Sequence, residues 1–125
     1  IEMNPALVNA YSSRGIVYGK RGNFDQAIAD LSKVIEMDPC SVSGYYDRGL
    51  AYLKKGDFDS AISDCTKAID LDPKNADAYL NRAEAFLAKR EFDRCWADVH
   101  QIEALKDSVD PELLERLKKE SGRER

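Results

Sequence analysis

The sequence predicts an all-α fold: an α-solenoid of three helix-turn-helix repeats closed by a C-terminal capping helix. Three observations carry this reading. The pentapeptides Ile1–Pro5, Ile35–Pro39 and Ile69–Pro73 are nearly identical, and their prolines are 34 residues apart (39 − 5 and 73 − 39). Within each period apolar residues recur twice at helical spacing. After the last period the pattern changes to a proline-led helix start. A unit of this length cannot bury its own apolar face, so the units must stack. A stack presents a surface, which suits binding better than chemistry.

Aligned on the prolines, the full units run over residues 8–41, 42–75 and 76–109, and residues 1–7 read as the tail of a preceding repeat. That tail predicts that the chain is cut from a longer array. Tyr11, Tyr45 and Tyr79 correspond, as do Gly15, Gly49 and Ala83, then Tyr18, Tyr52 and Phe86. Further on, Phe24, Phe58 and Phe92 align, followed by Ala27, Ala61 and Cys95. In the middle unit Tyr45, Gly49 and Tyr52 mark one face of a first helix, and Ala61, Cys65, Ala68 and Ile69 one face of a second.

The small residues at positions 15, 49 and 83 let the paired helices approach closely. Glycine after the first helix (Gly22, Gly56) supplies the left-handed residue that closes it; Arg90 holds that place in the third unit, at a cost of about 1 kcal/mol if left-handed. Residues 110–121 read as the capping helix, with Asp110 as N-cap, Pro111 at the first helical position and Leu113, Leu114 and Leu117 as its apolar stripe. Residues 122–125 are expected to fray.

Composition narrows the functions. With 125 residues, 43% hydrophobic and 34% charged, the chain is one ordered domain. A net charge of −4 argues against a general nucleic-acid binder, and no apolar run reaches the length that spans a bilayer. Cys40, Cys65 and Cys95 form no Cys-x-x-Cys pair, and His100 is the sole histidine, so neither a zinc site nor any cofactor is expected. Cys65 and Cys95 fall on apolar helical positions as small hydrophobes, while Cys40 sits in a loop. The odd count favours a reducing compartment, hence the cytoplasm. Ser-His-Asp sets and phosphate-binding glycine loops are missing, so the chain is not expected to be an enzyme.

Arg14, Arg48 and Arg82 recur at one position, and Asp30, Asp64 and Asp98 follow 16 residues after each. A guanidinium can hold a carboxylate bidentately, so these residues are expected to pair between helices, within a unit or with its neighbour, as structure rather than as a ligand site.

The tyrosine, glycine, tyrosine, alanine, proline series, in order and repeated three times, resembles the tetratricopeptide repeat family over nearly the whole chain. The resemblance implies antiparallel helix pairs in a right-handed superhelix, with a concave groove lined by the first helix of each unit. By that analogy the groove positions are Asn9, Ser12, Ile16, Gly19 and Lys20; Ser43, Tyr46, Leu50, Leu53 and Lys54; and Asp77, Leu80, Glu84, Leu87 and Ala88. Tyr46, Leu50, Leu80 and Leu87 are the informative ones, since the core pattern does not demand that they be apolar; contact with a neighbouring unit is the alternative.

Family members that grip acidic chaperone tails use a lysine and arginine clamp supported by asparagines. Here Ser12, Asp77 and Asn81 occupy the basic positions, and Ile16 and Asp47 the asparagine ones. The clamp is missing. The expected role is therefore a scaffold or adaptor whose groove takes an apolar peptide or partner helix with a basic residue near Asp47, Asp77 and Glu84. The rival readings are self-assembly into a homo-oligomer through the exposed face around Tyr11 and Tyr18, and a targeting arm of a larger enzyme.

Overall fold

The computed structural model describes residues 4–125; residues 1–3 of the expected repeat tail lie outside the described residues. The described residues form seven helices: α1 (Pro5–Lys20), α2 (Phe24–Met37), α3 (Val42–Lys55), α4 (Phe58–Leu71), α5 (Ala76–Ala88), α6 (Phe92–Ala104) and α7 (Pro111–Ser121). Short links make neighbours antiparallel, and each helix packs on the one before and the one after. Contacts also join α1 to α3 and α3 to α5, so the first helices of the units lie side by side as one face. The result is a solenoid of helix pairs.

Local chemistry sets where each helix begins. The Ser41 hydroxyl accepts from Gly44 N–H to cap α3, and Asn75 accepts from Ala78 N–H to cap α5. The first unit differs from the sequence expectation. Leu7 stands where Ser41 and Asn75 stand later, and leucine cannot cap. The helix therefore runs one turn further back, to Pro5, capped by Asn4, whose side-chain oxygen accepts from Ala6 and Leu7 N–H. Residues 5–7 thus belong to α1 and not to the tail of a preceding repeat.

Close helix approach depends on the small residues. A Cβ on Gly15 would meet the Leu31 side chain at 3.0 Å, and one on Gly49 would meet the Cys65 sulfur at 3.1 Å. Ala83 is fully buried at the corresponding place. Cys65 and Cys95 are core residues whose thiols burial pushes up to about 12, whereas Cys40 is exposed. After the first helices Gly22 and Gly56 have φ of +80° and +93°, and Arg90 takes the same left-handed turn at +61°. Lys106 adopts it too, at +60° after α6, a turn that the sequence reading missed.

α7 continues the period. Leu113, Arg116 and Leu117 lie 34 residues after Tyr79, Arg82 and Ala83 (113 − 79, 116 − 82, 117 − 83). Leu113 and Leu117 are buried against Phe86, Leu87, Trp96 and Val99, so α7 covers the end of the stack as a first helix would. Residues 122–125 lie beyond the end of α7 and are exposed; there Arg123 pairs with Asp93 and lies over the Trp96 ring, and Arg125 reaches Glu103 at 4.0 Å.

Candidate functional site

The recurring arginines and aspartates meet within each unit. Arg48 donates from Nε and Nη2 to the two Asp64 oxygens, each at 2.7 Å. Arg14 holds Asp30 at 2.8 Å twice, and Arg82 holds Asp98 at 3.0 and 2.7 Å. The remaining nitrogen looks to the preceding unit: Arg48 Nη1 donates to Ser32 Oγ and Arg82 Nη1 to Thr66 Oγ1, both at 3.1 Å. Each guanidinium also lies near two rings, Tyr45 and Tyr52 for Arg48, Tyr79 and Phe86 for Arg82. Burial pushes the Asp98 carboxyl up, against the pull of Arg82. These groups are committed to one another, and the Arg48 and Arg82 pairs also bolt unit to unit. Sequence reasoning missed the two hydroxyls, although their own 34-residue spacing (66 − 32) was there to find.

The expected groove positions lie on another part of the first helices, where a cleft opens between α1 and α3. Ile16, Gly19 and Lys20 of α1 and Asp47, Leu50 and Lys54 of α3 surround a cleft of about 270 Å³. Its floor is Phe24, Ala27 and Leu31 of α2 together with Gly15 and Ala51. Of these, Gly15, Phe24 and Ala27 were legible as recurring positions, though not as part of a groove, whereas sequence reasoning missed Leu31 and Ala51. Asp47 is half-buried, and burial pushes its carboxyl up; among the described residues it has no ion-pair or hydrogen-bond partner.

The other expected positions spread along the same face. Asn9, Ser43, Asp77 and Ala88 are exposed, and Ser12 and Leu53 are half-buried. Tyr46 and Leu80 are half-buried and pack on the cluster of Ala78, Tyr79 and Ile102, which makes them partly core. Burial pushes the Glu84 carboxyl up, with Asp110 adding to the shift and Lys54 and Arg116 opposing it.

Two expected groove residues are buried. Leu87 is 1% exposed because α7 lies over it, so it is a core residue and not a ligand contact. Asn81 is 6% exposed; its side chain lies near enough to the Tyr46 hydroxyl to oppose the rise in pKa that burial gives that hydroxyl, but its amide nitrogen makes no well-formed hydrogen bond among the described residues. Among those residues no cluster of candidate ligands could hold a metal, and no helix is long and apolar enough to cross a membrane.

Family models described as tetratricopeptide repeat match residues 42–75 and 65–97, and one described as TPR repeat matches residues 18–56, so together they span residues 18–97. The chain belongs to the tetratricopeptide repeat family. No curated protein matches it. Its fold is similar to that of the first TPR of Spaghetti (RPAP3) bound to the HSP90 peptide SRMEEVD, with 26% identity, coverage of 98% and 96% of the two chains, and a TM-score of 0.87. The first TPR domain of human RPAP3 is similar at 27% identity, coverage of 95% and 93%, and a TM-score of 0.84. The TPR2AB domain of yeast Sti1 in its pHSP90 complex is 27% identical over 95% of this chain but only 48% of its own length, with a TM-score of 0.84. Tetratricopeptide repeats of this kind are protein-binding scaffolds, and this chain shares their helical-repeat architecture.

Proposed function

We propose that the chain is a non-catalytic adaptor whose first-helix face, from Ile16 across Leu50 to Glu84, binds an apolar peptide or partner helix carrying a basic residue. The observation that carries the reading is Asp47, a half-buried carboxylate without a counter-charge among the described residues, at the edge of an apolar cleft. A ligand cation would replace the water that Asp47 has lost, and apolar contacts would supply the affinity. Asp77 and Glu84 extend the acidic side of the face. By resemblance, an acidic chaperone tail would meet Asp47 and Asp77 at clamp positions, with the buried Asn81 offering it little surface. A reducing compartment such as the cytoplasm suits the free thiols.

The second reading is that the chain takes the acidic tails its structural neighbours hold, as the SRMEEVD complex suggests. Fluorescence anisotropy with two labelled peptides decides: SRMEEVD, and an apolar peptide carrying arginine. Tighter binding of the arginine peptide, weakened by Leu50→Ala, is expected. Tighter binding of SRMEEVD overturns the proposal in favour of the neighbours' ligand class.

Self-assembly is favoured by a different face. Leu7 and Val17 of α1 are 45% and 44% exposed. The Arg14 side chain is 59% exposed, against 21% and 19% for Arg48 and Arg82. A molecular mass by light scattering that rises with concentration would support this reading, and a constant monomer mass would oppose it.

A further inference from the structure

The cleft between the first and second units owes its depth to one departure from the repeat. Gly19 occupies the place held by Leu53 in the second unit and Leu87 in the third (53 − 19 and 87 − 53 are both 34). Leu87 is buried at its site, and Leu53 half-buried. A Cβ built on Gly19 meets only the Ala27 Cβ, at 4.0 Å, so the space beside it is open. Gly15 opens the same wall, but it is tied to close helix packing by the Leu31 contact at 3.0 Å. Gly19 has no such constraint and no positive φ to require glycine. What its missing side chain leaves is a concavity of about 270 Å³ with Leu31, Ala27 and Phe24 at the bottom and Ile16 and Leu50 at the sides. A space of that size suits one large side chain. It is too small for a helix.

The rim narrows the chemistry. Lys20 and Lys54 line the cleft but are exposed and solvated, and Lys54 already acts favourably on Glu84. An exposed lysine gains little from a ligand charge. Asp47 is the desolvated charge, so a cation is the complement that gains most there.

We infer that the cleft opened by Gly19 is a socket for a single large apolar side chain, leucine-sized or aromatic, carried next to a basic residue that reaches Asp47. The inference rests on the groove reading above and adds the position of its anchor. The apolar side chain displaces water from the floor, and its basic neighbour fixes the direction in which the ligand crosses the groove. In this protein, anchoring is a property of the first interface between units, because leucine occupies the place of Gly19 in the later ones.

Amide NMR titration tests this with three heptapeptides in a glycine–serine background: one with a central phenylalanine–arginine pair, one with alanine for the phenylalanine, and one with glutamate for the arginine. The phenylalanine–arginine peptide is expected to shift the amides of Gly15, Gly19, Ala27 and Ala51 and to bind about tenfold more tightly than either counterpart. Gly19→Leu should abolish the preference for phenylalanine over alanine. Leucine is the repeat's own residue there, and Gly19→Ala provides a milder filling with an intermediate loss. Binding that shifts Tyr46 and Leu80 but is unchanged by Gly19→Leu would overturn the socket and leave the groove reading standing. Shifts in no first-helix amide would overturn both, and tighter binding of the glutamate peptide would overturn the basic neighbour.

Discussion

Arg48 grips both oxygens of Asp64 at 2.7 Å while the α3–α4 pair closes around them. The aspartate is buried and the arginine mostly so, and the same guanidinium reaches back to Ser32 of the preceding unit. One pair therefore joins helix to helix and unit to unit, and replacement of either partner leaves a desolvated charge behind.

Asp64→Asn keeps the shape and removes the charge, so it should cost about 2 kcal/mol of stability. Asp30→Asn should cost less, because Arg14 is largely exposed and water can take the place of its partner. Urea denaturation of both variants checks this; equal losses would show that the hydroxyl bridge and burial add nothing.

Asp47 gives the stability a pH dependence of definite sign. Burial raises its folded pKa above the ordinary carboxylate value, so the folded state holds the proton more tightly than the unfolded one. Its contribution is fully present below the ordinary carboxylate range and is lost as pH rises through the folded value. Asp47→Asn should therefore raise the melting midpoint at about pH 8 and leave it nearly unchanged at about pH 4. A midpoint that falls at the higher pH would mean that the carboxylate is paired.

Arg90 turns left-handed where the other units use glycine. Arg90→Gly relieves that backbone cost but gives up the contact with the Phe92 ring at 5.0 Å and the ion pair with Glu120 at 3.5 Å. The net gain should be positive and below about 1 kcal/mol. A thermal melt that shows destabilisation would place the larger energy in the side-chain contacts.

Most of the scaffold was legible because a repeat states its constraints more than once. Gly15, Gly49 and Ala83 mark close helix packing whichever unit is read, and the arginines and aspartates, returning at fixed separation, point to pairing between helices without saying whether within a unit or across units. The unit-to-unit role of Ser32 and Thr66 was harder to see, since small hydroxyl residues are common on solvated helix faces. The register of Arg116 was hidden because no proline at position 107 announces the fourth interval. The groove was legible only in part. A periodic position says which side of a helix a residue faces, but not what lies over it. Leu87 and Leu50 differ for that reason: α7 covers the first, while the second remains at the wall of a cleft.

Spacing along the chain was enough for the helix-pair units, their stacking and the expectation that arginine meets aspartate between helices; that each pair closes within its own unit came from the packed helices. Only the tertiary structure decided which positions remain open to a ligand. Exposure depends on neighbours brought from elsewhere in the chain: α7 over Leu87, and the paired core around Asn81. The same holds for the cleft beside Gly19. A missing side chain becomes a cavity only when α2 and α3 stand close enough to wall it in.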